Sequence, residues 1–323
     1  TLPLNGNKKI SFNQIEILNR KSCKKLFINE VKFLPKDLKK NIKLDLKLIT
    51  KKKSFKNLNL KSIPNIMGIL NLTPDSFSDG GMFNKIHKAK KQLHHLFKSG
   101  ADLVDIGGES TRPGSKSIPS NVEWNRIKSI LKVIDKKKIV SLDTRKSDIM
   151  EKGINLGINI INDISGLNYD ENSINILQRY ETPFVLHHSL GNPDVMQKNP
   201  KYKNVLLDIY DFFETKIRFL RTIGIKHNNI ILDPGIGFGK NLKHNIMIIK
   251  NISIYHSLGF PIMLGISRKK FIKELSKNND SNFRLGGTIS SSIYALTQGV
   301  HFLRVHDVNE INQSIKVFKE LIK

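Results

Sequence analysis

Arg304 and His306 stand two positions apart at the end of the last apolar run of the chain. Successive side chains of a β-strand point to opposite faces, so these two side chains share one face. The segment 307–309 then precedes a helical pattern, and the free N–H groups at the start of a helix favour an anion. Together these features predict a phosphate site. An arginine paired with a local carboxylate is the alternative interpretation.

The sequence ESTRPGS at 109–115 places a hydroxyl, Thr111, beside a guanidinium, Arg112. Arginine offers a planar fork of N–H donors that suits a diphosphate. An ordinary turn with a surface arginine is the alternative, because Pro113 and Gly114 are typical turn residues. The segment is therefore a candidate for the second half of the anion site.

Four polar residues close four other apolar runs or the turns after them: Asp143, Asn162, Asp233 and Lys269. Carboxylates, an amide and an ammonium group around one cavity can hydrogen-bond the edge of a flat, nitrogen-rich heterocycle. A salt-bridge network around the rim is the alternative. Asn71 closes the first run with a neutral oxygen, which suffices for a Mg²⁺ ion held mainly by substrate phosphates. Capping of a helix or turn explains an asparagine equally.

The segment GIGFGK at 235–240 is rich in glycine, as phosphate-binding loops are. Its spacing differs from that of the Walker A motif, and no Ser or Thr follows Lys240. This excludes nucleotide binding of that type. Phe238 is expected to form an apolar wall instead.

Eight segments with the composition of buried strands alternate with helical patterns from about residue 66 onward. The strands are expected at roughly 66–71, 102–106, 138–143, 158–163, 183–188, 229–233, 261–266 and 300–305. Parallel strands joined by right-handed crossovers close into a (β/α)8 TIM barrel of about 250 residues, which carries its chemistry at the carboxyl ends of the strands. An open doubly wound sheet is the alternative α/β architecture.

Residues 1–60 alternate weakly, are rich in Lys and Asn, and carry none of these polar clusters. They are interpreted as a small N-terminal α/β extension and a basic linker, and residues 61–323 as the barrel. Four apolar residues of the extension are expected to cover an apolar patch on the barrel: Leu26, Phe27, Val31 and Phe33.

The formal net charge is +26 over 323 residues, but the lysines are scattered over the helical segments. Scattered lysines without interleaved aromatic residues are typical of a solvated surface and not of a nucleic-acid site. The single cysteine, Cys23, excludes an intramolecular disulfide and is compatible with a reducing cytoplasm. No run approaches the roughly 18 apolar residues of a membrane span.

Across residues 66–323 the chain carries, in order, the segments GILNLTPDSFSDGG, DIGGESTRPGS, SLDTRK, INDISG, DPGIGFGK, GISRKKFI and RVHDV. This ordered set resembles the dihydropteroate synthases of the pterin-binding TIM-barrel superfamily. The resemblance implies condensation of 6-hydroxymethyl-7,8-dihydropterin diphosphate with 4-aminobenzoate, giving 7,8-dihydropteroate and diphosphate. It also implies Mg²⁺ as cofactor and a homodimer.

The resemblance assigns the site residues in groups. The pterin would be held by Asp143, Asn162, Asp233 and Lys269, with Arg304 against its face. The diphosphate would be held by Thr111, Arg112 and His306, and Mg²⁺ by Asn71. The 4-aminobenzoate pocket would be shaped by Phe77, Pro113, Phe238 and Ser267. The expected catalytic residues are Asp79 of the closing first loop, Arg112, Lys269 and His306.

One departure from the family pattern follows the fifth predicted strand. The chain reads HHS at 187–189, where the family commonly has Met-His-Met, so the floor of the pterin site is expected to be more polar. A methyltetrahydrofolate-binding methyltransferase barrel is the alternative function, but it has no need for ESTRPG, Arg304 or His306. An RNA-associated barrel is the alternative from another class, and it predicts clustered basic residues instead.

Overall fold

A computed structural model describes residues 1–55, 64–73, 82–110, 115–191 and 200–322. Five of the predicted site residues lie outside these ranges: Phe77, Asp79, Thr111, Arg112 and Pro113.

The N-terminal part of the chain is built from two hairpins and a helix. Strands β1 (Leu2–Leu4) and β2 (Asn7–Phe12) pair antiparallel, as do β3 (Gln14–Leu18) and β4 (Cys23–Phe27). A 3₁₀ helix (Ile28–Phe33) and helix α1 (Lys36–Thr50) follow. This confirms the small α/β extension predicted at the N-terminus.

Eight parallel strands form the main sheet. They are β5 (Asn65–Asn71), β6 (Leu103–Gly107), β7 (Ile139–Asp143), β8 (Ile160–Asp163), β9 (Phe184–His187), β10 (Ile230–Asp233), β11 (Met263–Leu264) and β12 (Phe302–Val305). Their order is β10-β9-β8-β7-β6-β5-β12-β11. A parallel bridge between Leu232 and Ile262 joins the two ends, and the Leu232 amide donates to the Pro261 carbonyl at 2.9 Å. The sheet is therefore a barrel, as predicted, and the open sheet is excluded.

Helices follow the strands in the alternation that the sequence predicts. They are α2 (Met82–Lys98), α3 (Ser120–Leu131), α4 (Ser147–Asn155), α5 (Ser173–Arg179), α6 (Val205–Thr222), α7 (Leu242–Lys250), α8 (Lys270–Ser276), α9 (Leu285–Thr297) and α10 (Val308–Leu321). Within the described ranges, no helix combines the length and the apolar character needed to cross a membrane.

The barrel interior is layered, because every second side chain of a strand points inward. The lower layer, here called the apolar layer, consists of Met67, Leu103, Ile160, Val185, Ile231, Met263 and Phe302, with Ile139 packed against it. Two positions further along the strands lies what we call the polar layer: Asp105, Ser141, Asn162, His187, Asp233 and Arg304. The apolar layer thus fills the amino-terminal end of the barrel and leaves polar groups toward its mouth.

The N-terminal extension closes the end of the barrel below the apolar layer. Phe55 is buried in that layer and meets the ring of Phe302 edge-on, with 6.2 Å between ring centroids. Asn5 donates through Nδ2 to the Gly299 carbonyl at 3.1 Å, and the Arg20 guanidinium binds Asp208 of α6 at 2.7 Å. These contacts anchor the extension to the barrel at three separate places.

Of the four residues expected to cover an apolar patch on the barrel, two are buried and two are exposed. Leu26 and Val31 are buried, whereas Phe27 is 46% exposed and Phe33 is 77% exposed. The period-2 alternation of β4 turns Phe27 away from the face that carries Leu26. The prediction was therefore wrong for the two phenylalanines.

Replacing Phe55 by Ala should lower the free energy of unfolding by about 3–5 kcal/mol, because it leaves a cavity in the apolar layer. Phe33→Ala is the matched control, and its effect should stay within about 0.5 kcal/mol because Phe33 is mostly exposed. Urea unfolding followed by circular dichroism measures both. Equal stability of the two variants would show that Phe55 does not complete the barrel core.

Candidate active site at the mouth of the barrel

A buried guanidinium organises the polar layer. Arg304 of β12 donates through Nε to Oδ2 of Asp105 at 2.7 Å and through Nη2 to Oδ2 of Asp143 at 2.8 Å. Asn162 of β8 donates to the same Asp105 oxygen at 2.9 Å. The side chain of Arg304 is 18% exposed, so the arginine is largely enclosed but not fully buried. The structure thus brings together three of the predicted pterin-binding residues.

Asp105 is a site residue that the sequence reading missed. It lies in the middle of the apolar run LVDIG and does not follow a strand end, which is where candidates were sought. The alternation of side chains along the strand could have revealed it: Asp105 is two positions after Leu103, so both side chains point to the same face of β6. A carboxylate buried inside a strand requires a partner, and here the partner is Arg304.

The charges of this cluster shift one another. Burial raises the pKa of Asp143, and the Arg304 guanidinium opposes that rise. Burial disfavours the Arg304 cation, but Asp105 and Asp143 outweigh this effect and keep the pKa of Arg304 above its ordinary value. Arg304 is therefore a permanent positive charge inside the barrel.

A second pair of predicted residues, Asp233 and Lys269, interacts with the same cluster. Burial raises the pKa of Asp233 to about 6, while the Gly235 amide donates to its Oδ1 at 2.8 Å. Burial and Arg304 lower the pKa of Lys269 to about 8, and Asp233 opposes this. The Lys269 ammonium lies 4.1 Å from the ring centroid of Phe238. Phe238, which the sequence predicts to form an apolar wall, is buried.

Lys240 does not point toward a phosphate. Its ammonium is buried and bonds His188 Nδ1 at 3.0 Å and the Phe238 carbonyl at 2.9 Å. Burial lowers the pKa of Lys240 well below its ordinary value. These contacts hold the glycine-rich turn against β9, which agrees with the exclusion of a nucleotide site there.

His306 lies at the mouth, where an anion site was predicted. Its Nδ1 is 3.0 Å from the Ser267 hydroxyl, which also accepts the His306 backbone N–H at 3.1 Å. Burial, together with Arg304 and Arg268, lowers the pKa of His306 to about 3, so the ring is neutral. A cavity of about 500 Å³ borders His306 and the first turn of α10. A neutral imidazole N–H and a helix N-terminus can both donate to an anion there.

Ser267 and Phe238 are also brought to this end of the barrel. Ser267 is buried, and its hydroxyl contacts the His306 ring, so it orients the imidazole. Asp307 forms an ion pair with Arg268, whose Nε is 3.0 Å from Oδ2. This pair fixes the start of α10 beside His306.

Glu109 ties together the two ends of the segment that carries Thr111 and Arg112. Its carboxylate accepts the Ile118 amide at 2.8 Å, Arg145 Nε at 3.0 Å and Lys146 Nζ at 3.1 Å. Lys146 also bonds Glu123 at 2.5 Å. All four charged side chains are buried, and their mutual pairing is what makes this burial acceptable. The sequence reading missed this support because its members are far apart along the chain.

Several buried polar atoms in and beside the polar layer have no hydrogen-bond partner among the described residues: Asp105 Oδ1, Asp143 Oδ1, Asn162 Oδ1, Ser141 Oγ and His187 Nδ1. Buried polar atoms are normally satisfied, by protein or by a ligand. Their concentration at the mouth therefore indicates a site for a ligand rich in hydrogen-bonding groups. It also separates this site from a self-sufficient salt-bridge rim.

Protein donors alone do not form a metal centre here. Among the described residues no group of three or more His, Cys, Asp or Glu is placed to hold a metal ion. Asn71 ends β5 at the mouth and is half-buried. Its neutral oxygen fits a Mg²⁺ ion that takes most of its ligands from substrate phosphates and water.

Comparisons with known proteins agree with this geometry. The sequence profile of the family described as pterin binding enzyme matches residues 67–306. Dihydropteroate synthase from Neisseria meningitidis serogroup B is 40% identical over 267 residues, which cover 80% of this chain and 93% of the relative.

Two crystal structures extend the likeness to the fold. Dihydropteroate synthase of Yersinia pestis in complex with a sulfonamide drug superposes with a TM-score of 0.77 at 34% identity, over 83% of this chain and 98% of that one. The enzyme of Xanthomonas albilineans in complex with 7,8-dihydropteroate has a TM-score of 0.73 at 29% identity, over 82% and 95%. The chain belongs to the family of pterin-binding enzymes, and the three relatives described above are dihydropteroate synthases.

Proposed function

We propose that this chain condenses 6-hydroxymethyl-7,8-dihydropterin diphosphate with 4-aminobenzoate, giving 7,8-dihydropteroate and diphosphate. It is a transferase of folate biosynthesis. The observation that carries the proposal is the group of unpartnered buried polar atoms around Arg304, with His306 beside it. A flat heterocycle rich in nitrogen matches the first feature, and its diphosphate matches the second.

The pterin lies within the polar layer in this proposal. Asp143, Asn162 and Asp233 present oxygens to its N–H groups, and the Lys269 ammonium donates to its carbonyl. The guanidinium plane of Arg304 stacks on the face of the heterocycle. Asp105 does not need to touch the substrate, because it already holds Arg304 and Asn162 in place.

The leaving group lies at the mouth. His306, together with Arg112 and Thr111, donates to the diphosphate, and Asn71 would supply a protein ligand to Mg²⁺. When bound, Mg²⁺ neutralises part of the diphosphate charge. Asp79 completes the site as the first loop closes, which excludes water from the reacting carbon.

Bond breaking then precedes or accompanies attack by the amine. The C–O bond to the diphosphate breaks with its electron pair on oxygen, and positive charge spreads into the electron-rich pterin. The amine nitrogen of 4-aminobenzoate forms the new C–N bond and loses one proton to solvent or diphosphate. The buried carboxylates stabilise the transient positive charge, so no strong base is required.

The 4-aminobenzoate ring packs between the first two loops and the barrel rim. Phe238 and Ser267 line this pocket from the barrel, and Phe77 and Pro113 line it from the loops.

We also propose that the protein is a cytoplasmic homodimer. Its exposed lone cysteine and the exposed apolar side chains Tyr294 of α9 and Val317 of α10 support this.

His306→Ala should lower kcat at least tenfold and leave the affinity for unphosphorylated 6-hydroxymethylpterin within about twofold, because the contact is made to the leaving group. Arg112→Ala should behave in the same way. Exposed His87→Ala is the control and should match the unmodified protein. Steady-state kinetics and calorimetry measure the two quantities. If pterin affinity falls as much as turnover does, His306 and Arg112 do not act specifically on the diphosphate.

Asp233→Asn should weaken binding of the same unphosphorylated pterin by about 1.5–3 kcal/mol, the range for a hydrogen bond to a charged group. In the unmodified protein the affinity should also fall as the pH drops through about 6, because burial raises the pKa of Asp233 to that value and the protonated carboxyl loses an acceptor. The variant should lack this pH dependence. The exposed Asp37→Asn substitution is the control. Calorimetry across pH 5 to 8 measures the affinity. If the pH dependence of pterin affinity is the same in D233N as in the unmodified protein, the assignment is wrong.

Purified protein should form 7,8-dihydropteroate from the two substrates with Mg²⁺, and chelation of the metal should abolish this reversibly. Asn71→Ala should increase the Mg²⁺ concentration needed for half-maximal turnover. Calorimetry with inorganic diphosphate gives a second readout, since binding should strengthen when Mg²⁺ is added and should strengthen less in the variant. Full turnover in chelator would refute the metal assignment, and no product under any condition would refute the function.

A further inference from the structure

His187 belongs to the polar layer by its position on β9. It lies two residues after Val185 of the apolar layer, and its Cα is paired in register with that of Asp233 on β10. Side chains at paired positions of neighbouring parallel strands point to the same face. His187 and Asp233 therefore stand side by side on the inner wall of the barrel.

The surroundings of the His187 ring fix its orientation. The ring is buried and meets the Phe238 ring edge-on, with 4.6 Å between centroids. An added Cβ on Gly235 would lie 2.8 Å from its Cε1, so the turn after β10 closes tightly over the imidazole. The ring also hydrogen-bonds the Ile164 backbone. The imidazole is thus held on three sides.

One nitrogen of this ring is left without a partner. Nδ1 has no hydrogen-bond partner in the described part of the chain. Burial, together with Lys240 and Lys269, lowers the pKa of His187 well below its ordinary value. A neutral ring that carries its proton on Nε2 presents a lone pair at Nδ1.

The neighbouring cation does not satisfy this lone pair. Lys240 is engaged by Nδ1 and the backbone carbonyl of His188 and by the carbonyl of Phe238. A buried acceptor left open costs about 1–3 kcal/mol unless a ligand completes it. The open acceptor lies in the same wall as Asp233, which is proposed to read the heterocycle.

We propose that His187 is a substrate-binding and specificity-determining residue, whose Nδ1 accepts a hydrogen bond from an N–H group of the reduced pterin. This rests on the proposed function. The dihydropteroate synthases that the chain resembles commonly carry methionine at this position, and a thioether is only a weak acceptor. The site of this chain therefore makes one more hydrogen bond to its substrate.

Two variants separate hydrogen bonding from packing. His187→Met removes the strong acceptor and keeps an unbranched side chain that fills irregular space. His187→Asn keeps an amide oxygen close to the place of Nδ1. Calorimetry with unphosphorylated 6-hydroxymethylpterin should show an affinity lower by about fivefold to tenfold for H187M, which is the range for one neutral hydrogen bond, and a largely restored affinity for H187N. The KM for 4-aminobenzoate should be unchanged in both.

A spectroscopic readout on the unmodified protein tests the hydrogen bond without relying on affinities. With ¹⁵N-labelled histidine, the Nδ1 signal that is absent from H187M should move when the pterin is added. An immobile signal, or pterin binding by H187M as tight as in the unmodified protein, would overturn the proposal. Equal losses in both variants would show a packing role and overturn it as well. Failure of the unmodified protein to bind any pterin would instead refute the function on which the proposal rests.

Discussion

The ion pairs between Arg304 and the two aspartates set the terms for the whole site. A guanidinium inside a barrel is tolerated only when desolvation is offset by close, well-oriented acceptors, and Asp105 and Asp143 provide these at 2.7 and 2.8 Å. The same bonds fix the plane of Arg304. A fixed plane is what a stacked heterocycle needs, because no side-chain entropy remains to be lost on binding.

This cluster also determines the electrostatics of the reaction. Three carboxylates (Asp105, Asp143, Asp233) face two cations (Arg304, Lys269) around one cavity. Burial raises the pKa values of Asp143 and Asp233, because the barrel interior disfavours the negatively charged form of both carboxyl groups. Positive charge that develops on the substrate stabilises these ionised carboxylates in the transition state but not in the ground state. This difference is the condition for catalysis by preorganised charge.

Much of this arrangement follows from strand periodicity, and the sequence predicted that part. Local patterns predict the eight strands, the polar residues at their carboxyl ends and the alternation of strands with helices. Asp105 was missed because a carboxylate within an apolar run carries no local sign of its partner, which is 199 positions away in sequence. The burial of Phe55 was missed for the same reason, since only the closed barrel creates the space that it fills.

The large positive charge of the chain and the acidic interior of its site act at different ranges. Surface lysines are screened beyond roughly 8 Å at physiological ionic strength, so they can raise the rate of encounter with an anionic substrate but cannot select it. Selection requires groups that are desolvated and fixed, and these are the open acceptors of the polar layer. In the proposed function, the charge of the diphosphate therefore increases the rate of encounter, whereas the hydrogen bonds to the heterocycle determine the selectivity of binding.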